Sequence, residues 1–151
     1  VPPPEALQPP ADPVFMGWRA RYELRRAGGG LPSAWAHADA ALPADAASLD
    51  QMWVRDADAR PLDFAALAAT CDIFYPRIWQ RRSAPTPAGT VSMTVYFHAD
   101  AALLEAVGGG FVLAQARAQE YRGGFFDQTA QLWSRDGTML ATTHQLVYYK
   151  S

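Results

Sequence analysis

The chain has 151 residues, half of them apolar and 12% aromatic, which fits one domain with enough apolar surface for a real core. Its net charge of −2 gives no electrostatic reason to expect nucleic acid or an anionic membrane surface as a partner. The single cysteine, Cys71, excludes an internal disulfide. No apolar run approaches the ~20 residues of a membrane-spanning helix. No signal-peptide pattern is readable either, so a soluble cytoplasmic protein is the expectation.

Six of the first thirteen residues are proline, and residues 1–14 read as a stiff, extended linker. A start in a linker leaves open that the chain is a piece of a longer protein. Trp18 to Arg26 alternates well enough for a strand, which Gly28-Gly29-Gly30 ends. Residues 33–47 are Ala-rich and read as loop. Ser48 to Arg55 is the second strand. Asp63 is a plausible N-cap for a helix that should run to about Tyr75, where Pro76 disfavours continuation. Phe64, Leu67, Cys71 and Phe74 share one helix face; Ala65, Ala68, Ala69 and Asp72 form a small-residue stripe beside it, expected to let the helix approach a sheet.

Arg77 to Gly89 reads as a connecting loop. Thr90 to His98 alternates as a half-buried strand, with Val91, Met93, Val95 and Phe97 on one face and Thr90, Ser92, Thr94, Tyr96 and His98 on the other. A short helical turn or loop fills 99–107. Strands at 111–121, 125–134 and 138–149 follow, with Gly123-Gly124 and Asp136-Gly137 as turn signals. Two strands, one helix and four more strands make an α+β domain with a helix laid on an antiparallel sheet.

Few residues carry a chemical signal. Cys71, among apolar neighbours, reads as a small buried hydrophobe. His37, His98 and His144 show no metal-like spacing, so no metal is expected. Arg77, Arg81 and Arg82 follow the helix in the presumed loop, where they are either solvated or available to phosphates. His98 shares the expected face of Thr90; alternation sends His144 and Gln145 to opposite faces.

Four stretches, in order, give the chain a resemblance. They are Met52 to Arg55 with its following turn, Thr70-Cys-Asp72-Ile-Phe-Tyr-Pro76, Gly89-Thr90 to His98, and Leu132 to Gln145. Together they resemble the second unit of the type II, double-hotdog acyl-CoA thioesterases. In these proteins a curled antiparallel sheet wraps one central helix, and two such units lie in one polypeptide. The resemblance covers about residues 15–150. It implies a hotdog thioesterase-like domain over 15–151, with acyl-CoA as substrate and no cofactor beyond the coenzyme A that the substrate carries. It also implies Asp72, Thr90 and Gln145 as catalytic residues: the acid activates a water that the hydroxyl and amide hold. Attack by Asp72 itself, through an anhydride, is the mechanistic alternative. A backbone N–H near the helix is expected to meet the oxyanion. Arg77, Arg81, Arg82 and His98 are the candidate substrate-binding residues.

The expected partner is a second hotdog unit, as a homo-oligomer or as an N-terminal unit. The competing reading is a non-catalytic hotdog binding or assembly module, or one half of a larger double-hotdog enzyme. A hotdog hydratase fits less well, because an Asp-x-Asn-Pro-x-His pattern is absent.

Overall fold

The computed structural model describes residues 1–10, 17–31, 48–82 and 84–150. Seven antiparallel strands form one sheet: β1 (Tyr22–Gly28), β2 (Asp50–Asp56), β3 (Ala88–Phe97), β4 (Val112–Arg117), β5 (Tyr121–Arg122), β6 (Phe125–Trp133) and β7 (Met139–Tyr149). The spatial order is β1-β2-β4-β6-β7-β3, with the two-residue β5 paired to β6. Two helices accompany it, α1 (Phe64–Thr70) and α2 (Ala101–Val107). The expected loop at 33–47 lies outside the described residues.

The sheet buries one face. Along β7, Thr143, Gln145, Val147 and Tyr149 are buried while His144, Leu146 and Tyr148 are exposed, the period-two signature of a sheet with one covered side. Met52, Val54, Leu132 and Leu140 meet Leu67 and Cys71 of the helical segment in the main core. A second cluster gathers Tyr75, Ile78 and Trp79 against Phe126, Val147 and Tyr149. Gly123 and Gly124 have φ of 61° and 83° and join Arg122 to Phe125. Two consecutive positive-φ positions are what a two-residue hairpin matching strand twist requires.

The helix is shorter than its apolar spacing predicts. Asp63 caps it, its Oδ1 accepting from the Ala66 N–H at 2.7 Å, but Cys71 already closes the C-terminal end. Ile73, Phe74 and Tyr75 are all buried. The chain leaves the helix after Thr70, and Ile73 and Phe74 enter the main core while Tyr75 enters the second cluster. The expected loop after Pro76 is also more ordered. Arg77–Arg81 is a 3₁₀ turn whose Arg77, Ile78, Trp79 and Gln80 are buried. The Ala stripe does not approach the sheet: Ala65 and Ala69 are exposed.

Pro2, Pro4 and Glu5 tie the first residues to the domain. Pro4 is buried, the Trp53 indole donates to the Pro2 carbonyl at 2.8 Å, and Arg135 donates to both Glu5 oxygens at 2.6 Å. The rest of the stretch expected as linker, residues 11–14, is outside the described residues.

Candidate active site

Asp72 follows α1 directly, its N–H bonded to the Ala69 carbonyl at 3.1 Å. Its carboxylate is exposed. Gln145 comes from the covered face of β7 and is 5% exposed. Its Nε2 donates to Asp72 Oδ1 at 2.8 Å, and its Oε1 accepts from the Thr90 hydroxyl at 3.0 Å. The helix end and two strands thus meet in one hydrogen-bonded chain, Thr90–Gln145–Asp72. The chain borders a recess of about 70 Å³, whose walls include Phe74, Pro76, Phe126, Gln128 and Val147. That volume holds about two water molecules.

Thr90 reaches Gln145 because β3 is not regular. Thr90 pairs with Val147, but Ser92 pairs with Leu146, so Val91 is an extra residue in the ladder. A bulge of this kind re-aims the side chains on one side of it. Thr90 therefore stands on the covered face with Met93, Val95 and Phe97, whose partners are Gln145, Thr143 and Ala141. Strict alternation assigned it to the other face.

The same bulge separates Thr90 from His98. His98 is exposed, and its Nε2 lies 2.9 Å from the Thr142 hydroxyl, on the outer face. Eight residues of strand, roughly 26 Å at about 3.3 Å each, lie between the two. His98 is not at this site.

The arginines also divide. Arg77 is fully buried, not displayed in an exposed loop. Its Nη2 donates to the Tyr75 carbonyl at 2.6 Å and to Asp50 Oδ2 at 3.3 Å, and its Nη1 donates to the Ser48 carbonyl at 3.2 Å. Arg26 bonds the other Asp50 oxygen. Burial pulls the Arg77 guanidinium below its ordinary range, and the Asp50 charge opposes this. A phosphate in solvent has no access to it. Arg81 is exposed, with its guanidinium 4.3 Å from the Tyr121 ring centroid. Arg82 is half-buried over Tyr149 at 5.9 Å.

Cys71, next to Asp72, is buried, and burial with the Asp72 charge pushes its thiol up to about 12. A thiol held that high is a poor nucleophile. Among the described residues no three His, Cys, Asp or Glu side chains group as metal ligands.

A larger cavity, about 670 Å³, lies elsewhere, between α1 and the β1-β2-β4 side. Tyr22, Arg55, Arg60, Leu62, Ala66 and Gly109 are among its lining residues, and none of the Thr90–Gln145–Asp72 chain is. The polar groups converge at the smaller recess.

The model of the acyl-CoA thioesterase C-terminal domain matches residues 2–149. The chain belongs to that family. A hot dog fold protein of unknown function from Alicyclobacillus acidocaldarius is 40% identical, with a TM-score of 0.87 over all of this chain and 53% of the other. The tesB protein of Mycobacterium avium subsp. paratuberculosis is 19% identical, with a TM-score of 0.69 over 99% of this chain and 52% of that one. The acyl-CoA thioesterase II TesB2 of Mycobacterium marinum is 15% identical, with a TM-score of 0.61 over 99% and 54%. The last two share the fold alone. Among curated proteins none matches the chain. The domain is therefore a hotdog, its antiparallel sheet laid around α1, and it spans about half the length of the solved structures it matches. No helix among its described residues is long and apolar enough to cross a membrane.

Proposed function

We propose that this hotdog unit hydrolyses acyl-CoA to the free acid and coenzyme A, with Asp72, Gln145 and Thr90 holding the attacking water. The observation that carries the reading is the continuous chain from the Thr90 hydroxyl through the Gln145 amide to Asp72, at the wall of a recess of water size. Gln145 spends its amide on Asp72 Oδ1, and among the described residues nothing bonds Oδ2. Oδ2 is then the base. It takes a proton as the water oxygen bonds the thioester carbon, the C–S bond breaks, and the proton passes to the departing sulfur. A carboxylate base of this kind contributes about 10²–10⁴-fold. Cys71 takes no part.

Arg81 and Arg82 are the remaining candidates for the phosphates of coenzyme A. Both lie in or next to the 3₁₀ turn that follows the acid.

The partner we propose is a second hotdog unit along β3. That strand pairs only with β7 among the described residues and carries no charge from Ala88 to Phe97. Val91 and Tyr96 are more than half exposed. A long uncharged edge is a template for pairing, and the matched structures are about twice this length.

The test is thiol release from acetyl-, hexanoyl-, dodecanoyl- and benzoyl-CoA. Turnover should fall about 10²–10⁴-fold in Asp72→Asn. A folded sample with no turnover on any of them would favour the second reading, a pairing module that is one half of a larger enzyme. Its length relative to the matched structures is the observation behind that alternative.

A further inference from the structure

Gln128 lies on β6 directly opposite Gln145, and both are on the covered face. Directly opposed residues keep their Cβ atoms about 4.5–5.5 Å apart. Gln128 is 3% exposed and lines the same recess as Asp72, Thr90 and Gln145. Its position differs from theirs in one respect. Among the described residues its side-chain amide makes no hydrogen bond, and its polar atoms are not sealed off from the recess. The side chain is buried while its amide opens to the recess, so a group held in the recess is what that amide can bond.

We infer that Gln128 is a catalytic residue, the donor to the thioester carbonyl oxygen. The inference rests on the hydrolase reading above. The recess has room for about two water-sized groups. One is the nucleophilic water on the Asp72 side; the other is the carbonyl oxygen on the Gln128 side, with the reacting carbon between them. As the water oxygen bonds that carbon, the carbonyl π pair moves onto oxygen and the Gln128 N–H meets the new charge. The pair returns as the C–S bond breaks, and the sulfur leaves with the proton held by Asp72. Gln145 cannot serve equally well: its oxygen accepts from Thr90, one N–H donates to Asp72, and the remaining N–H is the one assigned to the water. A donor at the place where charge develops is what stabilises an oxyanion.

Gln128→Met keeps the length of the side chain and removes the N–H. Loss of one such donor lowers kcat about 10²–10³-fold, with KM on hexanoyl-CoA changing less than about threefold, the mark of an interaction made in the transition state. Because the amide has no partner to lose, the melting temperature should stay level or rise. The second measurement needs no turnover: the infrared carbonyl band of ¹³C-labelled hexanoyl-CoA bound to Asp72→Asn. That band should lie below its position in water-free solvent, and adding Gln128→Met should move it back up. Turnover that Asp72→Asn abolishes and Gln128→Met spares overturns this inference and leaves the hydrolase reading standing. A loss confined to KM, an unshifted carbonyl band or a collapse in melting temperature overturns it as well. A chain that neither turns over nor binds the thioester overturns both.

Discussion

Cys71 and Asp72 are neighbours with opposite surroundings. The thiol is sealed in the core, and the carboxylate opens to solvent. The Cys71 thiol is raised from 9.0 to about 12, so the folded state holds its proton more tightly than the unfolded state does. Its contribution to stability is full below the unfolded value and is lost as pH rises from 9 toward 12. Two outcomes follow. A thiol reagent at mildly alkaline pH should label Cys71 only under denaturing conditions. The melting temperature of Cys71→Ala, although lower at neutral pH because of the cavity, should decline less steeply through that alkaline range than that of the parent chain. Rapid labelling of the folded protein would contradict the burial.

β3 shows which part of the site its sequence made legible. The acid, hydroxyl and amide were readable as residue types in order on successive elements, because the four stretches that carry them stand in the family's order. Their meeting was not readable. Alternation from Met93 back to Thr90 puts the hydroxyl on the outer face, and only the extra residue at Val91 returns it to Gln145. Nothing in Thr90-Val-Ser-Met marks that bulge; neither glycine nor proline punctuates it. Arg77 was misplaced for a related reason: its charge suggests solvent, but its partner Asp50 lies 27 residues away on β2. Gln128 gave no signal because a lone Gln in a strand looks like any solvated position. Thr90→Val removes the hydroxyl and should lower kcat at least about tenfold by breaking the chain to Gln145. Circular dichroism should show the sheet intact. Undiminished turnover in that variant would remove Thr90 from the account.

At the scale of the molecule, two features bind the site to the rest of the fold. The first is Asp50, 1% exposed and held between Arg26 and Arg77, so that β1, β2 and the segment after Asp72 share one buried charge cluster. Asp50→Leu would leave two guanidinium groups without their carboxylate, and urea unfolding should report a loss of about 3–5 kcal/mol. The second is the β3 edge, which puts the recess at the border where another unit would pair. Sedimentation should find the chain as a dimer, and Val91→Lys with Tyr96→Lys should shift it to a monomer that is still folded by circular dichroism; a monomer at every concentration would contradict that pairing. The central claim is that water, not Asp72, attacks the thioester. A single turnover of hexanoyl-CoA in oxygen-18 water tests it most directly: the account predicts the label in the released acid and none in Asp72, and an unlabelled first-turnover acid with the label in Asp72 would contradict it.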